Sequence, residues 1–381
     1  MQTIWKQITQ EDNLNIAIYE EAGAILRKGG LVAFPTETVY GLGGNGFDAG
    51  ASAKIYAAKG RPSDNPLILH ISDIDMLSMI TDEITDKARV LMDRFWPGPL
   101  TMIFNKKKEV PYETTGGLET VAVRMPDHEV ARKLIEAAGT PIAAPSANVS
   151  GRPSPTMARH VYEDLSGKID MILDGGDVGI GLESTIIDMT AEPPMILRPG
   201  YITKEMFEKE IGRVITDPAI LKKPDEAMKP KAPGMKYRHY APKAVLTLVE
   251  SKACEDAKTD KVVSKIVDMA TDKITSGAKV GIIATIETVE TYTNLLNNRN
   301  VIIKMSDEED SVVTAGEAMM FVIGSREDEE SVARNLYKVL RQCDEKNMEY
   351  VYSETFSRDN FGEAIMNRLQ KAAGYTIVEA D

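Results

Sequence analysis

Residues 218–244 constrain this chain more than any other stretch, because no hydrophobic core can be threaded through them. "PAILKKPDEAMKPKAPGMKYRHYAPKA" holds five prolines in 27 residues and no apolar period. Proline fixes φ and removes an amide donor, so the segment is predicted to be extended linker. At 381 residues the chain is also long for one core. The expectation is a catalytic domain over 1–217, a basic proline-rich linker over 218–244 and a small domain over 245–381. Charge follows the same division. Residues 1–217 carry 22 Lys+Arg against 31 Asp+Glu, the linker 7 against 2, and the remainder 16 against 25, for a formal net of -13. An acidic chain does not coat nucleic acid, since that affinity comes from neutralised phosphates. A polyanion must be met locally, and the net +5 of the linker is one place where it can be.

Upstream of the linker, short apolar runs alternate irregularly with helical patterns. "GLVAFP", "NPLILHI", "PLTMIF", "TVAVRMP", "PIAAPSAN", "STIIDM" and "MILRPG" read as strands. "ASAKIYAAKG", "ITDKARVLMDRFW" and "HEVARKLIEAAG" read as helices, the first and last closed by glycine. Without regular crossovers between strands, this predicts an α+β domain with a twisted mixed sheet. Downstream, "AVLTLVE", "KVGIIAT", "NVIIKM", "MEYVYSE" and "YTIVEA" alternate with long helical patterns. That rhythm predicts a small parallel α/β domain of Rossmann-like type with helices on both faces.

No apolar run approaches the ~18 residues of a membrane span, and "MQTIWKQITQEDN" has no apolar signal core. A cytoplasmic protein without membrane association is expected. Cys254 and Cys343 both sit on helical patterns, away from other ligand types, and are expected to be idle thiols. Neither a P-loop nor a G-x-G-x-x-G fingerprint is present. "GLGGNG" (41–46) reads as a tight turn or a backbone cradle for an anion. Lys106, Lys107 and Lys108 read as a solvated turn.

What remains are polar clusters at the ends of strands and helices. "PTETVYGLG" places Thr36, Thr38 and Tyr40 on a loop; "KGRPSDNPLILH" supplies Lys59, Arg61, Asn65 and His70. Lys59 at a helix carboxyl end suits the macrodipole, His70 on its apolar strand reads as a satisfied core histidine, and Arg61 beside a Gly-Pro turn suits phosphate oxygens. "APSANVSGRPSP" adds Ser146, Asn148, Ser150, Arg152 and Ser154. Arg124 lies inside the apolar strand "VAVRMP", where a guanidinium requires a carboxylate from protein or substrate. "GLESTIID" brings Glu183 and Ser184 to a bend before a strand. Such a cleft has cations and hydroxyls and no evident nucleophile. It fits orienting an anionic substrate whose own atoms react, as in phosphoryl or nucleotidyl transfer.

"KGRP" followed by "PSAN" behind "FPTETVYGLG" resembles the K-x-R and S-x-N signature of the YrdC-like family. "PGMKYRHYAP", "ARNLYKVLRQCDE" and "GEAIMNRLQKAAG" are similar to the linker and second domain of its two-domain members. The resemblance implies a nucleotidyltransferase that makes threonylcarbamoyl-AMP and pyrophosphate from L-threonine, bicarbonate or CO2, and ATP. The product would pass to the tRNA threonylcarbamoyl-transfer machinery. It further implies that Lys59, Arg61, Ser146 and Asn148 carry the signature chemistry. Thr38, His70, Arg124, the backbone of Ala144, and Ser184 would hold threonine. Arg61, Asn65, Thr120, Ser146, Ser154, Arg198 and Tyr237 would hold ATP. Magnesium is expected on the triphosphate, with no protein ligands assigned. Independently of the resemblance, the proline-bounded, positively charged linker is expected to act either as a gate, with Lys236, Tyr237 and Arg238 brought over the phosphates, or as a passive solvated tether. The alternatives are a non-catalytic RNA-binding module, against which the acidic domains weigh, and a carbamoyl-phosphate-using transferase, whose zinc motifs and acylphosphatase-like segment are missing here. Strong direct nucleic-acid binding is not expected.

Overall fold

A computed structural model describes residues 2–9, 16–221, 230, 232–233, 239–252, 255–307, 313–314 and 316–380. The chain divides into two compact units, Met1–Ser150 with Ser154–Tyr237, and Gly151–Pro153 with Arg238–Asp381. Lys236, Tyr237, Arg238 and Cys254 lie outside the described residues.

The first unit contains β1 (Ile4–Gln7), α1 (Ile16–Arg27), β2 (Val32–Phe34), β3 (Gly41–Asn45), α2 (Ala49–Lys59), β4 (Ile68–His70), α3 (Asp86–Phe95) and β5 (Leu100–Asn105). It continues with α4 (Tyr112–Thr115), β6 (Thr120–Arg124), α5 (Glu129–Ala138), β7 (Ile142–Ala144), α6 (Ala158–Leu165), β8 (Met171–Asp174), β9 (Thr185–Asp188), β10 (Met195–Arg198), α7 (Lys204–Ile211) and β11 (Ile215–Thr216). Its strands join in the order β1-β8-β2-β3-β7-β4-β6-β5-β9-β10-β11, with parallel and antiparallel pairs mixed. The irregular spacing of apolar runs produces this mixture, because short connections favour antiparallel neighbours.

"GLGGN" is neither a turn nor an anion cradle: it is β3, antiparallel to β2 and β7. Its glycines allow close approach. A Cβ on Gly43 would lie 2.7 Å from Ile142 and 2.9 Å from Phe34, and one on Gly46, just past the strand, 2.4 Å from Leu69. The same economy appears where α1 crosses α5, since a Cβ on Gly23 would stand 2.6 Å from the Ala137 backbone. Those helices close one core with Leu26, Phe34, Val130, Leu134 and Ile135, all buried. Each such side chain contributes about 1.5–3 kcal/mol on burial. Capping matches the sequence: Asp48 accepts from Gly50 at the start of α2, and Gly60 (φ 62) and Gly139 (φ 66) end α2 and α5.

The second unit contains β12 (Val245–Glu250), α8 (Glu255–Thr275), β13 (Val280–Thr285), α9 (Val289–Asn297), β14 (Ile302–Met305), β15 (Glu317–Gly324), α10 (Glu329–Glu345), β16 (Tyr350–Glu354), α11 (Phe361–Ala372) and β17 (Ile377–Glu379). The sheet order is β14-β15-β13-β16-β12-β17, and every pairing is parallel. "EAMMFVIG" is a strand that the sequence reading did not anticipate, so the alternation of strand and helix is not strict. Its two methionines favour helix intrinsically, and tertiary burial between β13 and β14 overrides them. Cys343 is buried on α10, and burial raises its thiol well above the ordinary value. Among the described residues no helix is long and apolar enough to cross a membrane.

Candidate active site

The register of the first sheet assembles one row of side chains. Thr101 of β5 lies opposite Arg124 of β6, and Arg124 opposite His70 of β4. Partners in adjacent strands project to the same face, so these three polar groups share a surface. All are buried, at 0, 3 and 4 % exposure, which makes their pairing decisive.

Arg124 sits at the centre. It donates from Nη1 to Thr38 Oγ1 at 2.8 Å and from Nε to the Gly98 carbonyl at 3.3 Å. Its Nη2 lies 2.6 Å from Glu37 Oε2, a charge contact that lacks hydrogen-bond alignment. The carboxylate demanded by a guanidinium in an apolar strand is thus present within the chain. Glu37 was missed in the sequence, although a carboxylate between two threonines behind a buried strand was a usable signal. The loop bearing it is strapped in place: Ile180 N donates to the Glu37 carbonyl (2.8 Å), Gly181 N to that of Thr38 (3.1 Å), and Tyr40 OH to that of Gly176 (2.7 Å). Thr36 and Thr38 share a hydroxyl bond of 2.8 Å.

His70 is neutral. Burial, followed by the positive charge of Arg124, holds its pKa down to about 3, and Nδ1 donates to the Ile68 carbonyl at 3.1 Å. Thr101, also missed, shares a 2.8 Å hydroxyl bond with Ser184. Arg198 donates from Nη2 to Ser184 Oγ (3.1 Å), from Nε to the Ser184 carbonyl (3.0 Å), and from Nη1 to the Pro233 carbonyl (3.5 Å). Ala232 beside it belongs to a buried cluster with Ile68, Ile103, Ala122, Ile186 and Leu197. Ser154 donates to Glu183 Oε1 at 2.6 Å.

A second group gathers around Lys59. Its side chain is 2 % exposed, and Nζ donates to the carbonyls of Ser146 and of Asn148, the latter at 2.5 Å. Ser146 Oγ donates to Asn148 Oδ1 at 2.5 Å, and Ser146 bridges to Gly41 at the start of β3. Lys59 therefore binds the two halves of the signature together from the end of α2. Arg61 folds onto its own loop, donating to the carbonyls of Asn65 (3.3 Å) and Pro66 (3.0 Å). Asn65 is buried, and its Oδ1 accepts no hydrogen bond. Ala144 ends β7 opposite Ile68. Thr120 begins β6, four residues from Arg124 and about 13 Å along the strand, so it stands apart from the central row. Lys107 bonds Ser78 and pairs with Asp82, Lys106 lies over Tyr112, and their segment lines a groove outside the central row.

Known proteins resemble this chain over nearly its whole length. Residues 24–200 match a family described as telomere recombination, and residues 202–374 match the threonylcarbamoyl-AMP synthase C-terminal domain. The threonylcarbamoyl-AMP synthase of Pyrococcus abyssi is 46% identical over 94% of both chains. The chain belongs to the threonylcarbamoyl-AMP synthase family. The Bacillus subtilis member is 44% identical over 97% of each chain. The crystal structure of Pyrococcus abyssi Sua5 complexed with L-threonine superposes with a TM-score of 0.83 at 43% identity, covering all of both chains. Membership in the threonylcarbamoyl-AMP synthase family accounts for the two-domain architecture and identifies the chain as a transferase.

Proposed function

We propose that the first unit joins L-threonine, bicarbonate or CO2, and ATP into threonylcarbamoyl-AMP and pyrophosphate. The observation that carries this reading is the buried row of Arg124, His70 and Thr101, with Thr38 and Ser184 bonded to it. A zwitterionic amino acid with a hydroxyl finds a guanidinium, a carboxylate and a set of hydroxyls there. Its carboxylate would share Arg124 with Glu37, and neutral His70 with Thr38 or Ser184 would meet the hydroxyl.

The threonine amine captures CO2 as a carbamate, and a carbamate oxygen then attacks the α-phosphorus as pyrophosphate leaves. Two anions must be brought together, which calls for fixed cations and a water-poor pocket. Arg61, Asn65, Ser146, Ser154 and Arg198 would take the nucleotide, and Lys59 would hold the Ser146–Asn148 loop in its phosphate-ready shape. The buried Asn65 Oδ1 without a donor fits a ligand N–H. Thr120 would reach only the far end of the nucleotide.

Magnesium fits as an ion borne by the triphosphate. Among the described residues no group of three His, Cys, Asp or Glu could hold a metal, and Glu37 and Glu183 already serve Arg124 and Ser154. Mg2+ commonly takes its oxygens from substrate phosphates and water, and when bound it would neutralise phosphate charge.

Lys236, Tyr237 and Arg238 of the 218–244 linker would gate the phosphates. The support is the anchoring of Ala232 and Pro233 at Arg198. If Lys236→Ala with Arg238→Ala leaves the rate of adenylate formation unchanged, the gate is refuted. We place the protein in the cytoplasm, with its product consumed by the tRNA-modifying transfer machinery. Pyrophosphate release at fixed ATP and bicarbonate tests the reaction itself: threonine should support turnover, serine less, and the absence of amino acid none. Tight tRNA retention on a filter without threonine-dependent ATP consumption would favour an RNA-binding role instead.

A further inference from the structure

The parallel sheet of the second unit ends in a cavity of about 460 Å³ at the carboxyl ends of β12 and β16. From β12 the chain steps through β13 to β14 toward one edge of the sheet, and from β15 it steps through β16 to β17 toward the other. Right-handed crossovers then put α8 and α9 on one face and α10 and α11 on the opposite one. Adjacent strands whose helices leave to opposite faces open a crevice beyond their carboxyl ends. Small ligands of open α/β sheets bind in such crevices.

The lining carries both signs of charge. Arg326, two residues past β15, is anchored from below by Glu354, which is 1 % exposed, and Glu354 also accepts from Thr288 Oγ1 at 2.5 Å. The Arg326 guanidinium donates to the Thr355 carbonyl at 3.2 Å and stacks 5.3 Å from the Phe356 ring centre. Its Nε is buried with no acceptor. Glu354, buried beneath the pocket wall, fixes the half-exposed Arg326 so that its remaining exposed face presents positive charge to the cavity. Arg358 is engaged otherwise, donating to Glu250 at 3.1 Å.

Carboxylates line the same cavity. Glu329 opens α10, and Asp359 precedes the α11 start. Burial, with Asp359 adding to it, raises the Glu329 carboxyl above its ordinary value, although the Gly362 amide pulls the other way. Carboxylates lining a recess favour a cation there. Asn360, next to Asp359, sits at φ 49 and ψ -124, a backbone conformation that a side-chain-bearing residue adopts only under local constraint.

We propose that this cavity binds a free α-amino acid or an equally small zwitterion, its carboxylate on Arg326 and its ammonium on Glu329 and Asp359. A pure anion such as a nucleotide would bring its charge against Glu250, Glu329 and Asp359 together. The volume is ample for an amino acid with ordered water.

Hydrogen-exchange mass spectrometry on the full chain tests this, with each proteinogenic L-amino acid supplied at millimolar concentration in turn. At least one should slow exchange at the ends of β12 and β16 and at the start of α10. Arg326→Gln and Glu329→Gln, each checked for a retained thermal transition, should weaken that protection by about tenfold or more. Arg358→Gln, at a more exposed guanidinium already paired with Glu250 and assigned no contact with the ligand, should weaken it less. Should Arg326→Gln fail to fold, Glu329→Gln and the unmodified chain still decide. The proposal is overturned if no amino acid protects these segments, if protection falls only on the first unit, or if inorganic phosphate protects them as well as the best amino acid.

Discussion

Replacing His70 by asparagine should flatten the acid limb of the first unit's stability. In the folded chain the imidazole is sealed between strands and beside Arg124, and its pKa is held down to about 3 from an ordinary 6.5. The native histidine stays neutral while the unfolded one takes up a proton, so stability is complete above about pH 6.5 and is lost as pH falls from there toward 3. The slope is ~1.4 kcal/mol per pH unit for one proton. Between pH 7.5 and 5 the loss sums to about 2 kcal/mol, and it does not depend on how far below 5 the folded pKa lies. Asparagine keeps a donor for the Ile68 carbonyl and removes the titration. Trp5 and Trp96 are the chain's two tryptophans and both lie in the first unit, so urea unfolding followed by tryptophan fluorescence reads that unit. His128, also held down mainly by burial, affects both proteins alike. The wild-type and His70→Asn curves should diverge by about 2 kcal/mol over this range. Parallel curves would refute the burial argument and the neutral state assigned to the site.

Other substitutions probe the remaining links. Arg124→Lys keeps the charge but loses the fork that holds Thr38, Glu37 and Gly98; the KM for L-threonine should rise about tenfold or more in pyrophosphate-release kinetics, with a smaller effect on the KM for ATP. Lys59→Met strips the donor from the Ser146 and Asn148 carbonyls, so urea unfolding should show a loss of about 3 kcal/mol and kcat/KM for ATP should fall. Gly43→Ala forces a methyl into Ile142 and Phe34 and should cost about 1–3 kcal/mol by the same titration, without selectively raising either KM.

The candidate site was legible in the sequence only in part. A guanidinium in "VAVRMP" demands an anion and Arg61 beside a Gly-Pro turn suits phosphate, whereas the histidine in "LILHI" reads by itself as a core residue until the sheet register sets Arg124 beside it. What stayed hidden depends on partners distant in sequence. Glu37 becomes meaningful only when Arg124, 87 positions on, swings onto the loop, and Thr101 looks like an ordinary strand threonine until Ser184 reaches it. "GLGGN" misleads for a related reason. Glycine permits turns and also permits strands to approach closely, and only the positions of Phe34 and Ile142 distinguish the two. The second unit's rhythm was readable except at β15, where a methionine-rich strand is fixed by neighbours and not by propensity.

Arg198 ties two fates together. One fork steadies the hydroxyl of Ser184, just before β9, and the same guanidinium donates to the carbonyl of Pro233, well beyond the last strand of the first unit's sheet. A pull on residue 233 is therefore felt at Ser184, and a guest that tugs Ser184 is felt at 233. The gate proposed for the 218–244 linker would therefore start from a residue bonded to the wall it closes against.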